Sequence, residues 1–346
     1  MLSPLPRLIG GAGIGYAISY PTSDEHGRPT VANGQVYLPV GNPPPGGWPV
    51  VSWAKGTVGV GDGCAMSTAL ARGLPDPFAV ALSEPLLTDV LESGIAVVST
   101  DYIGLGTVDR HQYLNSESES RAVIDIVGAA ADSLPELSQT WVAAGHSQGG
   151  AAALTAGVQA AAYGNSPDLR GVVAIAPSSN VENIIAVLTP QTPRVAQLTN
   201  ITATLIYILY GLQDARPDID INSYLSDLGR ERVASAEDMC IGDLRQSVDG
   251  IAPQQLLSRP LSDPTLVAAL RDYMAVPVVG YTRPVVIEQG LADAVVPPLG
   301  TTALAAQLLA GGAGDLTYLP IPGATHYDVV ATTAADTTAR ISAMLR

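Results

Sequence analysis

The segment Gly145-His146-Ser147-Gln148-Gly149-Gly150 sets a serine between glycines two positions away on either side, the G-x-S-x-G spacing of a nucleophile elbow. Such a serine must stand clear at the end of a strand, on a turn so sharp that flanking Cβ atoms would collide. Glycine at those positions removes the collision. The next backbone amide, that of Gln148, then points toward the oxygen of an attacked carbonyl, which makes Gln148 a candidate oxyanion donor. The pattern carries weight only between a strand and a helix. Residues 140–144 form a short β-prone apolar run and residues 151–156 a strong helix start, so both flanks are present.

A serine hydroxyl needs a base, and an acid to orient that base, in the chain order Ser…Asp/Glu…His. The chain has four histidines. His26 and His111 precede the elbow and His146 lies inside it, which leaves His326 in the glycine-containing loop Pro322-Gly323-Ala324-Thr325-His326. The acid belongs on the loop after the preceding strand, where Asp293 follows Glu288-Gln289-Gly290-Leu291-Ala292. Its role would be to hold the imidazole tautomer and stabilise the imidazolium. Glu288, Asp315 and Asp328 are alternatives, placed respectively in a strand body, at a strand start and very close to the histidine.

A second oxyanion amide comes from the loop after an early strand. Here that loop is Lys55-Gly56-Thr57, so Thr57 is the candidate donor. Lys55 reads as a solvated charge, or as a bias of the local field toward negative intermediates near bound substrate. Asp101-Tyr102 follows another strand end; Asp101 is a candidate loop buttress and Tyr102 a candidate border of the substrate pocket.

Strand and helix signals alternate around these residues, predicting an α/β fold with a mostly parallel sheet flanked by helices. Residues 14–20 and 34–40 read as an opening antiparallel pair. Further strands are expected at 49–54, 95–100, 140–144, 172–176, 284–288 and 316–321, and helices at 83–93, 119–131, 150–163, 301–310 and 332–345. Residues 178–280 are too long for one loop. Apolar residues at three-to-four spacing over 181–188, 194–212, 223–235 and 264–274 predict helices there. We therefore expect a core of residues 1–177 and 281–346, with residues 178–280 as a helical cap over the carboxyl ends of the strands. The run 200–210 would line an acyl tunnel, act as a lid, or simply be the buried face of a cap helix.

Hydrophobic residues make up 47% of the chain and charged ones 14%, enough for a large core. The net charge of −15 repels phosphate backbones and disfavours nucleic acid or anionic membranes as partners, while leaving contact with a lipid or small-molecule ester open. Lys55 is the only lysine against sixteen arginines, which reads as a compositional habit. Cys64 and Cys240 form no CxxC motif, and no metal site or cofactor is expected. They are two buried thiols or one long-range disulfide. The first residues lack a basic, then unbroken apolar, signal pattern, which fits either a chain that is not exported or a mature one.

Five blocks together resemble the secretory lipases of the lipase A type, a branch of the α/β-hydrolases: Ser52-Trp53-Ala54-Lys55-Gly56-Thr57, Asp101-Tyr102-Ile103-Gly104-Leu105-Gly106, the elbow, Gln289-Gly290-Leu291-Ala292-Asp293 and Ala324-Thr325-His326. They run in matching order from about residue 50 onward. The resemblance implies an α/β-hydrolase fold with a helical cap, a serine esterase or lipase without cofactor, and secretion. It implies a triad of Ser147, Asp293 and His326, oxyanion donors Thr57 and Gln148, and a disulfide from Cys64 to Cys240 in the cap. Lys55 departs from the pattern, many members having histidine there. A peptidase, amidase or acyltransferase on the same triad, and a catalytically silent binding protein on the same fold, are the competing readings.

Overall fold

A computed structural model describes residues 1–73, 78–163, 167–194 and 201–346. Its nine strands are β1 (Leu2–Pro4), β2 (Ala12–Ser23), β3 (Pro29–Pro39), β4 (Trp48–Ala54), β5 (Ala96–Ile103), β6 (Leu137–His146), β7 (Asp168–Ile175), β8 (Val285–Gly290) and β9 (Leu316–Ile321). They form one sheet in the order β1-β2-β3-β5-β4-β6-β7-β8-β9. The strands from β5 to β9 in this order pair in parallel, and β1, β2 and β3 add an antiparallel edge. The strand pair expected at the start is present, with Tyr16 opposite Val36. β1 was not expected; three residues carry too little periodicity to be read as a strand.

The central strands are Val-, Ile- and Ala-rich because both faces are covered, so their apolar runs are continuous instead of alternating. Every residue of β5 and of β8 is buried. The covering helices include α1 (Met66–Ala71), α2 (Phe78–Glu92), α3 (Ser116–Ser133) and α4 (Gln148–Gln159), then Pro298–Ala310 and Val329–Met344. Asn115 caps α3, its side chain accepting from the Ser118 amide at 3.2 Å.

The long segment between β7 and β8 is helical, at Val181–Ala186, Thr202–Ala215, Asp227–Ser235, Ile241–Ser247 and Pro264–Met274. The helix expected over 223–235 starts only at Asp227, where Ser226 caps it by accepting from the Gly229 amide. The expected helix start at 194 runs into residues 195–200, which lie outside the described residues. The short helix Ile241–Ser247 went unread. Apolar residues of this segment gather into a second cluster, distinct from the one that packs the sheet.

A disulfide joins Cys64 to Cys240, with Cα atoms 5.4 Å apart. It ties the connection after β4 to the helical segment. Backbone pairing reinforces the tie: the Ile241 amide donates to Val58 O at 2.8 Å.

Candidate active site

The elbow is built by close backbone approach. A Cβ at Gly149 would lie 1.8 Å from Ala54 O, and one at Gly145 would lie 2.2 Å from Gly149 O. No other residue fits at those two positions. Ser147 itself carries φ 58° and ψ −117°, a conformation that costs an L-residue about 1–3 kcal/mol. Local bonds hold it there: its amide donates to Ile175 O at 2.9 Å, and its carbonyl accepts from the Ser178 amide at 3.0 Å.

Ser147 Oγ stands 3.0 Å from His326 Nε2, and His326 Nδ1 donates to Asp293 Oδ2 at 2.7 Å. Residues 179 and 33 positions apart thus meet in one hydrogen-bonded line. Asp293 is held in turn. Its Oδ1 accepts from the amides of Val295 and Val296, each at 2.8 Å, and its Oδ2 from Gln289 Nε2 at 3.2 Å. The alternative acids point elsewhere: Glu288 accepts from Thr337 Oγ1 at 2.8 Å, and Asp328 accepts from the Thr325 amide.

His146, the second residue of the elbow, has a positioning part that sequence did not disclose. Its Nε2 donates to His326 O at 2.8 Å, and the two rings lie 4.6 Å apart. Burial lowers its pKa to about 3, with the nearby His326 adding to the effect, so the ring stays neutral.

Gly56 packs against the elbow, its Cβ direction pointing to His146 Nδ1 at 3.2 Å and Ser147 Cβ at 3.8 Å. The adjoining Thr57 therefore borders Ser147, and its Oγ1 shares a hydrogen bond of 2.7 Å with Tyr113 Oη. The Gln148 side chain turns away from the serine into the protein. Its Nε2 donates to Glu119 Oε1 at 2.6 Å and to His111 Nε2 at 3.2 Å. His111 Nδ1 donates to Ile103 O at 2.9 Å, which fixes the tautomer that leaves Nε2 as acceptor. Burial raises Glu119 to about 8 and lowers His111 to about 4.

Lys55 and Tyr102 do not meet substrate space; that expectation is corrected. Both are buried, at 0% and 1% exposure, and neither lines the cavity above Ser147. Lys55 is not a solvated charge either. Its Nζ pairs with Asp101 Oδ1 at 3.1 Å, donates to Thr100 O, and lies 4.7 Å from the Tyr102 ring centre. Burial lowers its pKa. Tyr102 Oη donates to Lys55 O at 2.7 Å, so both residues hold the loop that carries Thr57. Asp101 buttresses as expected, accepting also from Gln35 Nε2 and the Ser67 amide, each at 3.1 Å.

A cavity of about 190 Å³ opens above Ser147 and His326. Its floor comes from strand-end loops and its far wall from the helical segment, through Ile184, Ile185, Leu205 and Arg245. Among the described residues no cluster of His, Cys, Asp or Glu fits a metal ion, and no helix is long and apolar enough to cross a membrane.

The secretory lipase family profile matches residues 76–343. The chain belongs to the secretory lipase family. It is accordingly a carboxylic ester hydrolase with the α/β-hydrolase fold. Its fold is similar to that of Candida antarctica lipase A in its closed state, with a TM-score of 0.77 at 18% identity over 98% of this chain and 82% of that one. A putative hydrolase from Legionella pneumophila superposes with a TM-score of 0.74 at 17% identity, covering 99% of this lipase-family chain and 92% of its own. The ligand-bound form of the rice cell wall degrading esterase LipA from Xanthomonas oryzae gives 0.71 at 18% identity, over 98% and 90% of the two chains. No curated protein matches the chain by sequence.

Proposed function

We propose that the protein hydrolyses carboxylic esters through an acyl-enzyme on Ser147. The observation that carries this reading is the line Ser147–His326–Asp293, with contacts of 3.0 and 2.7 Å, at the floor of an apolar cavity. His326 Nε2 takes the Ser147 proton as Oγ attacks the ester carbonyl, and then gives it to the leaving alcohol. Asp293 holds Nδ1–H and stabilises the imidazolium. The amides of Thr57 and Gln148 receive the oxyanion, each worth roughly 3 kcal/mol in the transition state. Water then enters, His326 activates it, and the acid leaves. The apolar wall from Ile184, Ile185 and Leu205 suits an acyl chain, with residues 178–280 acting as the cap that shapes its pocket. The disulfide and the family together favour an oxidising, extracellular site of action.

Turnover of p-nitrophenyl butyrate and labelling by a fluorophosphonate test this mechanism. Ser147→Ala and His326→Ala are expected to lose about 10⁴-fold or more in kcat, and Asp293→Asn about 10⁴-fold. Ser147→Ala should abolish labelling. Near-wild-type turnover in the serine or histidine variant would falsify the assignment.

A further inference from the structure

Arg245 is the one permanently charged side chain lining the cavity among the described residues. It projects from the helix Ile241–Ser247, one turn beyond Ile241, which lines the same cavity. Leu244 beside it is fully buried and anchors the helix. The guanidinium lies over the ring of Tyr327, 5.9 Å from its centre, and Tyr327 contacts the His326 ring at 5.3 Å. The charge is thus one aromatic ring away from the base.

Several arginines elsewhere on this acidic chain pair with carboxylates, among them Arg28 with Asp24, Arg216 with Asp218, Arg230 with Asp227 and Arg340 with Asp336. Arg245 forms no ion pair among the described residues. Its field reaches the oxyanion side of the cavity too. Burial pushes the phenols of Tyr113 and Tyr207 well up, and Arg245 partly offsets that rise in both. Tyr113 is the partner of Thr57. A guanidinium without a carboxylate partner, lying over an aromatic ring at the rim of an apolar chamber, offers a planar fork to an incoming carboxylate.

We propose that Arg245 is a specificity residue that receives a carboxylate carried by the substrate, so that the preferred esters combine an apolar stem with a terminal acid. The inference rests on the ester-hydrolase reading above. With a net charge of −15 the protein as a whole repels anions, so the recognition is local and must come from this side chain.

The test compares kcat/KM for mono-p-nitrophenyl glutarate with that for neutral p-nitrophenyl valerate, in wild type, Arg245→Met and Arg245→Glu. The quantity read is the acid-to-neutral ratio, which cancels any general loss of activity. Arg245→Met should lower the ratio about tenfold at low salt, Arg245→Glu should lower it further, and the wild-type ratio should fall as ionic strength rises. A second arm uses 4-carboxyphenyl valerate, followed by pH-stat, to place the carboxylate on the alcohol side. A drop confined to either substrate assigns the side and supports the proposal. Ratios unchanged within about twofold in both arms, with the neutral ester still hydrolysed, would overturn it. Failure of wild type to hydrolyse any of these esters would instead remove the ester-hydrolase reading itself.

Discussion

Substituting Lys55 by Met tests whether the buried ion pair beneath the loop that carries Thr57 holds that loop in place. Lys55 and Asp101 have no exposed side-chain surface, and their N···O distance is 3.1 Å. Met keeps an unbranched stem of similar length, so the change removes the charge and its bonds to Asp101 and Thr100 O with little loss of volume. Asp101 is then a buried carboxylate without a counter-charge. Breaking such a pair from one side costs about 3–5 kcal/mol. Gln35 Nε2 and the Ser67 amide still donate to Asp101 at 3.1 Å, which favours the lower figure, about 3 kcal/mol. The double variant Lys55→Met/Asp101→Asn removes both charges and should recover about 2 kcal/mol of this loss. Urea unfolding with the disulfide intact, read by tryptophan fluorescence, supplies the cycle. Because Tyr102 Oη donates to Lys55 O two residues before Thr57, the single variant should also lower kcat for a neutral ester with KM little changed. An unfolding midpoint equal to that of wild type, or a double variant no more stable than the single one, would refute the reasoning.

Glu119 supplies a pH signature. Its carboxyl is raised from 4.5 to about 8, so between these values the folded chain keeps a proton that the unfolded chain has released. Its contribution to stability therefore falls as pH rises across that window and levels off above it. The neutral His146 and His111 act in the opposite sense, losing stability as pH falls below about 6.5, where an imidazole in the unfolded chain takes up a proton. Glu119→Gln keeps the acceptor facing Gln148 and removes the titrating carboxyl. The stability of the variant relative to wild type should climb from about pH 5 to 8, and a constant difference in urea midpoints would count against the assignment. The disulfide spans a separation of 176 residues, for which chain entropy gives about 5 kcal/mol. Cys64→Ser/Cys240→Ser should lose most of that in urea unfolding, and equal midpoints for oxidised wild type and the variant would show that the bridge contributes little.

The parts of the candidate site legible in sequence are those whose constraint is local or ordinal. The glycines around Ser147 are demanded by contacts with Ala54 and with each other, so their spacing survives as a pattern. His326 and Asp293 followed from chain order. The sheet was readable where both faces are covered, in β5 and β8, because continuous β-branched runs leave few other folds. What escaped was the polar layer under the elbow. Glu117 and Glu119 both begin α3, two positions apart and hence on different faces of the helix. Glu117 is 44% exposed, whereas Glu119 is buried and bonds Gln148 across 29 residues. Composition offers no means of choosing between them, since the choice depends on where α4 lies against α3. The short helix carrying Arg245 was missed for a similar reason: seven residues give one apolar repeat, too few to establish a period.

The single lysine shows how a reading of overall composition can pass over a site. Sixteen of the basic residues are arginines, many of which pair with surface carboxylates where a planar fork is an advantage. Position 55 differs. There the cation has no exposed surface, sits between Asp101, Thr100 O and the face of Tyr102, and needs a slim stem ending in a compact ammonium. A guanidinium brings five donors in a fixed plane, and the two acceptors, Asp101 and Thr100 O, leave most of them unsatisfied in a dry pocket. Lys55→Arg is therefore no conservative change: it keeps the charge yet should disturb the loop carrying Thr57 more than Met does, because Met leaves no buried donor without an acceptor.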